Sequence, residues 1–166
     1  MPQISKKITQ LLTEQIHAEF QAHNSYLAMA AFFERGAFKG FASWMRLQSE
    51  EEHVHGHKIF DYLAKRGATI VLKGLSAPKM EFKSTKEVFE TALAYEYATT
   101  ASIHKIYDAA QAAKDFGTVE MLNWFLKEQV EEESSAQEIL DRVALAGSDA
   151  AALLQLDHEA GKRKAD

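Results

Sequence analysis

The chain has 166 residues, which suits one domain, and its hydrophobic fraction of 46% is enough for a packed core. It contains no cysteine, which excludes a disulfide framework, a thiolate zinc site and an iron–sulfur cluster, and is compatible with a cytoplasmic location. The net charge of −5 argues against general nucleic-acid binding and suits a protein that attracts cations, and no apolar run approaches the ~20 residues of a membrane span.

Residues 1–7 lack the apolar run of a secretory signal. Abundant Ala, Leu, Glu, Lys and Gln point to an all-α fold, and both prolines, Pro2 and Pro78, fall outside the helical stretches. A first helix is expected over 5–34, ended by Arg35, Gly36 and Ala37. A second runs over 38–66 with Gly67 as its stop. Residues 67–83 lack periodicity and include Gly67, Gly74 and Pro78, so they read as a long connection between the two ends of a bundle. Ser84 and Glu87 match a capping box that opens a third helix over 84–114. After a break at 115–117 a fourth helix covers 118–146, with Gly147 as its stop. A short fifth helix is expected over 148–158, capped by Ser148 or Asp149, followed by a polar, solvated tail at 161–166. Short turns make the first and second pairs antiparallel, and the long connection supplies one crossover. The expected architecture is a single domain over 1–166, a four-helix bundle with a crossover and a short C-terminal helix.

Each long helix carries a stripe at the three-and-four spacing of a core-facing surface. The first contains Ile8, Leu12, Ile16, Glu19, His23, Tyr26, Ala30 and Phe33; the second Phe41, Met45, Gln48, Glu52, His55, Ile59 and Tyr62. The third contains Phe89, Ala92, Glu96, Thr99, Ile103, Ile106 and Ala110; the fourth Leu122, Phe125, Gln129, Glu132, Ala136, Ile139 and Val143. All four are apolar towards their ends and polar in the middle. Buried carboxylates are costly unless paired or bound to metal. Four at a common depth, with His55 one turn from Glu52, form the pattern of a di-metal carboxylate site inside a bundle.

Carboxylate and imidazole ligands suit iron and similar transition metals. Glu19 and His55 would hold one ion, Glu96 and Glu132 another, and Glu52 would bridge them. Two Fe(II) ions held close together can reduce O2 without releasing a one-electron radical. Gln129 is either a neutral oxygen ligand or a hydrogen-bond donor to bound oxygen species. Tyr26, about two turns beyond Glu19, either donates a hydrogen bond or an electron, or fills core space with its hydroxyl satisfied. His23 reads as a satisfied core histidine, and Trp44 and Trp124 as packing in or beside the core.

The chain resembles the bacterial non-haem ferritins over nearly all of its length. The residues that carry the likeness are the Glu-Gln-Ile-His-Ala-Glu run at 14–19, the Glu-Glu-His-Val-His run at 51–55 followed by Phe-Asp-Tyr-Leu at 60–63, Glu96 within Ala-Tyr-Glu-Tyr at 94–97, and Glu-Gln-Val-Glu-Glu at 128–132. The resemblance implies a ferritin-like fold and a ferroxidase that oxidises Fe(II) with O2 or H2O2 and stores Fe(III) mineral in a hollow homo-oligomeric shell of 24 subunits. Carried to matching positions, its ferroxidase residues are Glu19, Glu52, His55, Glu96, Gln129 and Glu132. A third iron site falls on Glu51, Glu128 and Glu131, sharing Glu132; taken singly, the first three are equally solvated helix charges.

Bacterioferritins and rubrerythrins carry a second Glu-x-x-His in the later helix, where this chain has Gln-Val-Glu-Glu at 129–132. Bacterioferritins hold haem through a Met where His53 stands, so haem is not expected, and His53 reads as a surface or interface residue. The DNA-binding mini-ferritins place their ligands between subunits, whereas this ligand set lies within one chain. The apolar fifth helix, with Leu153, Leu154 and Leu156, suggests packing against symmetry mates. Asp115 and Glu120 fall where related shells form threefold pores. Two other readings stay open at this point: a di-iron peroxidase that stores no mineral, and a structural bundle whose charges bind no metal.

Overall fold

The structure is a computed structural model that describes residues 4–164; Pro2 and the end of the polar tail, Ala165 and Asp166, lie outside the described residues. Five helices follow in chain order: α1 (Lys6–Glu34), α2 (Lys39–Lys65), α3 (Thr85–Ala112), α4 (Phe116–Ala146) and α5 (Ala150–Ala160). The expected all-α bundle with a crossover and a short fifth helix is the fold the chain adopts. Among the described residues no helix is long and apolar enough to cross a membrane.

Local chemistry sets the helix ends. Ser5 caps α1, its hydroxyl accepting from the Ile8 N–H at 3.2 Å. At the end of α2, Gly67 has φ +68°, and its N–H and that of Ala68 donate back to Ala64 and Leu63 in a Schellman closure. Ser84 caps α3 through the Glu87 N–H at 3.1 Å, while the Glu87 carboxylate takes the Lys83 N–H instead of completing the expected box on Ser84 itself.

The α3–α4 turn differs from expectation. Lys114, not a glycine, takes the left-handed conformation with φ +53°, and the N–H groups of Lys114 and Asp115 close α3 onto Gln111 and Ala110. Asp115 then caps α4 through Thr118 N–H at 3.2 Å, so α4 begins at Phe116 and Gly117 lies inside its first turn. The same carboxylate pairs with Arg66 at 3.0 Å. It thereby ties the turn to the end of α2.

Residues 68–83 form no helix and are held along α1: the Lys73 N–H donates to His17 Nε2 at 2.8 Å, and Gln21 exchanges two hydrogen bonds with the backbone of Ser76. This fixes the crossover that joins the α1–α2 pair to the α3–α4 pair, with α1 packed on α3.

Two apolar clusters fill the bundle. One joins Tyr26, Phe33, Phe41, Trp44, Phe89 and Val143; the other joins Leu12, Ile16, Ile59, Ile103, Leu122 and Phe125. Between them lie the buried polar residues Glu19, Gln48, Glu52, His55, Glu96, Gln129 and Glu132.

α5 packs on α2 and α4 of its own chain. Leu153 and Leu156 join the first cluster, and Leu154 stays exposed. Contacts with α2 and α4 thus hold this helix within its own chain. α2 has no side-chain cap at Phe38, so the Phe41 N–H in its first turn would lack a partner. Asp157 of α5 supplies it, accepting that N–H at 2.7 Å, with its negative charge at the positive end of the helix dipole. The close approach depends on Gly40, where a Cβ would overlap the backbone carbonyl of Asp157. Gly40→Ala is expected to cost about 1–3 kcal/mol from overpacking and to loosen α5. Thermal unfolding with limited proteolysis of α5 measures this; an unchanged melting point and cleavage pattern would refute the docking role.

Candidate metal centre

The middle layer draws one carboxylate from each long helix. Glu19 comes from α1, Glu52 from α2, Glu96 from α3 and Glu132 from α4, with His55 one turn after Glu52. All five side chains are buried. Each sits well inside a helix of 27 to 31 residues, far from frayed ends, so the backbone holds it rigidly.

The ligand atoms fall into two overlapping groups. One contains Glu19, Glu52 and His55, the other Glu52, Glu96 and Glu132, and within each the candidate ligand atoms lie within 4.8 Å of one another. Glu52 belongs to both. His55 Nδ1 lies 3.6 Å from Glu52 Oε2 and its Nε2 lies 3.7 Å from Glu132 Oε1. Both separations exceed a hydrogen bond and leave the imidazole without that kind of partner.

Hydrogen bonds satisfy one part of each group and leave another open. Gln15 Nε2 donates to Glu19 Oε1 at 2.8 Å. Gln48 Nε2 donates to Glu52 Oε1 at 3.3 Å and to Glu132 Oε1 at 3.2 Å. The Tyr26 hydroxyl donates to Glu96 Oε1, and Gln129 Nε2 donates to Glu96 Oε2 at 3.3 Å. The buried atoms Glu19 Oε2, Glu52 Oε2, His55 Nδ1, Gln129 Oε1 and Glu132 Oε2 have no hydrogen-bond partner. Such a cluster of unsatisfied buried lone pairs is costly in a folded protein and is relieved by a cation.

Electrostatics point the same way. Burial, followed by the charges of Glu52, Glu96 and Glu19, pushes the Glu132 carboxyl up to about 11. Burial, then Glu96, raises Glu52 to about 8. Glu19 is raised by burial and by Glu52, and Glu96 by burial against the opposing hydrogen bond of Tyr26. Tyr26 is itself raised by burial and by Glu96. Without cations the layer resists its own negative charge. Two divalent cations neutralise four carboxylates in full.

The remaining sequence-derived residues fall around this layer. Gln129 and Tyr26 both touch Glu96. Glu51, Glu128 and Glu131 join neither group of ligand atoms. They line an outer groove of about 870 Å³ that reaches inward to His55 and Glu132. Glu51 and Glu128 are half-buried and Glu131 is exposed. His23 is half-buried, its Nδ1 2.8 Å from the Ser49 carbonyl oxygen, as a satisfied histidine. His53 is exposed on α2, its ring centroid 4.5 Å from that of His57. Trp44 is buried in the core, and Trp124 stands edge-on to His55 at 5.3 Å.

Sequence reasoning missed three supporting groups. Gln15 and Gln48 each precede a carboxylate by four residues, and that helical spacing was a usable signal. Arg163 lies in a tail whose composition predicts a solvated segment, yet it is half-buried and bonds to Gln48 and Glu51. Its reach follows from where α5 docks, which no local pattern encodes.

Comparison with known proteins gives a consistent match. A family described as a ferritin-like domain matches residues 9–146. The bacterial non-heme ferritin of Staphylococcus haemolyticus (strain JCSC1435) is 39% identical over 163 residues, covering 98% of each chain. That of Staphylococcus aureus (strain USA300) is 37% identical over the same length, again covering 98% of each. Among solved structures, a humanized archaeal ferritin superposes with a TM-score of 0.96 at 40% identity, covering 98% of this chain and 99% of that one. An open-pore ferritin from Archaeoglobus fulgidus gives 0.95 at 40% identity, covering 97% and 99%.

Proposed function

The chain belongs to the ferritin family, and from that premise we propose that it stores iron by oxidising Fe(II) at the buried centre. The observation that carries this reading is the pair of overlapping ligand groups with Glu52 in common. In this reading Glu19 and His55 hold one Fe(II), Glu96 and Glu132 hold the other, and Glu52 bridges them. Gln129 offers its unpartnered Oε1, because its Nε2 is engaged with Glu96. Gln15 and Gln48 fix the carboxylate orientations, and Tyr26 positions Glu96 through its hydroxyl.

The electron count requires two ions. Two Fe(II) ions give up one electron each to O2, which takes up two protons and becomes H2O2. With H2O2 as acceptor, the same two electrons and two protons yield two waters. Fe(III) binds hard oxygen ligands and would leave through the outer groove, where Glu51, Glu128 and Glu131 with Glu132 form a third site. It would then hydrolyse to mineral inside a 24-subunit shell in the cytoplasm.

Anaerobic Fe(II) titration of the assembled protein is expected to show two tightly bound ions per subunit. Admitting O2 should oxidise both far faster than buffer does and leave the iron in the particle after gel filtration. No tight binding would return the four carboxylates to a structural role. Fast oxidation with no retained iron would favour a peroxidase over a storage protein.

A further inference from the structure

The C-terminal segment places a cation of the protein's own beside the centre. α5 is anchored at several points: Asp149 caps it, Asp157 accepts the Phe41 N–H of α2, and Glu159 pairs with Arg142 of α4. Those anchors direct residues 161–164 back along α2. Arg163 then donates from Nη1 to Gln48 Oε1 at 3.0 Å and from Nη2 to Glu51 Oε2 at 2.6 Å. Its guanidinium lies over the Trp44 ring, 4.8 Å from the centroid. The Arg163 and Glu51 side chains are only 22% and 21% exposed, so this is not a solvated surface pair. A planar fork held by two acceptors and an aromatic face is a geometry that lysine does not reproduce.

Both partners belong to the iron machinery as read above. Gln48 is the amide that donates to Glu52 and Glu132; because Arg163 occupies its oxygen, its nitrogen is left facing those carboxylates. Glu51 is one of the outer groove's carboxylates, and Arg163 lines the same groove. A third cation seeking Glu51 therefore meets a tethered positive charge already bound there.

We propose that Arg163 determines occupancy of the outer cation site: its guanidinium holds Glu51 until a divalent cation displaces it, and its bond to Gln48 ties that displacement to the orientation of the inner carboxylates. The inference rests on the reading of Glu51, Glu128 and Glu131 as a third iron site. Each ion that enters the outer site breaks a charge-assisted hydrogen bond, which weakens binding there relative to a subunit without Arg163. Because the charge is part of the chain, it competes at the same strength whatever the iron concentration.

The test is anaerobic Fe(II) binding by the full-length assembled protein, comparing wild type with Arg163→Gln, Arg163→Lys and Glu51→Gln, each checked for intact helix content and assembly. In wild type we expect two tight ions and a weaker third per subunit. In Arg163→Gln the third ion should bind about ten- to a hundredfold more tightly, the scale of one charge-assisted hydrogen bond. Arg163→Lys, which keeps the charge without the fork, should fall between. Glu51→Gln should lose the third ion and keep the first two. If Arg163→Gln fails to assemble, Arg163→Lys decides by the direction of its shift. Two tight ions with a third that is unchanged in the Arg163 variants would overturn the role of Arg163 and leave the di-iron reading standing. Absence of the two tight ions in wild type would overturn both.

Discussion

Glu52→Ala is expected to abolish tight binding of both metal ions and to slow Fe(II) oxidation by at least about 100-fold, since loss of outer-shell partners alone costs 10–100-fold. Glu52 is the member common to both groups of ligand atoms, so its removal cuts each group to two residues. His55→Ala should act differently. His55 belongs to one group only, and its loss leaves Glu52, Glu96 and Glu132 together. That variant should retain one ion per subunit and still fail at fast oxidation, because reduction of O2 to H2O2 needs an electron from each of two ions. Anaerobic titration with stopped-flow oxidation measures both quantities. Two ions retained in Glu52→Ala, or fast oxidation in His55→Ala, would refute the division of ligands.

The metal-free protein should lose stability as pH rises from about 6 to about 9, while the metal-loaded protein should not. Burial and neighbouring carboxylates raise Glu52 to about 8 and Glu132 to about 11. In an unfolded chain both titrate near the ordinary glutamate value, about 4.3. A raised acid binds its proton more tightly in the folded state. Its contribution is therefore complete below the unfolded value, fades as pH climbs, and is gone above the folded value. The window runs from the ordinary carboxylate range to about 8 for Glu52 and to about 11 for Glu132. Cations reverse the trend because they bind the deprotonated carboxylates, so loading should release protons and tighten with pH. Melting curves with and without Zn(II) test the first point, and calorimetry in buffers of different ionisation enthalpy tests the second. Each 1 kcal/mol lost should lower the melting point by roughly 2–4 °C. Glu132→Gln should flatten the metal-free slope. A slope equal to wild type in that variant would show that Glu132 titrates normally in the fold.

The depth of the centre was legible because helical spacing is local and strong. Glu19, Glu52, Glu96 and Glu132 each interrupt an apolar stripe at mid-helix, and long helices carry that register into space with little error. Their shared layer required only that the bundle be antiparallel. Features decided by long-range contact were not legible. The left-handed turn fell on Lys114 although Gly117 stood three residues on, because the closure is fixed by which carbonyls of α3 remain to be satisfied. The place of α5 depended on the missing side chain of Gly40 and on an unfilled N–H at the start of α2. Arg163 followed from that docking, so a basic tail read as solvated became a partner of Glu51.

The two apolar clusters do not merge across the middle of the bundle. Cohesion is lodged at the ends, like the piers of a bridge, and the span between them is left to reactive groups that would weaken any core. In the proposed role iron would pass through that span repeatedly, and each passage would change its charge. Because the apolar contacts lie outside the span, a change of charge there alters the stability of the fold without removing any of them.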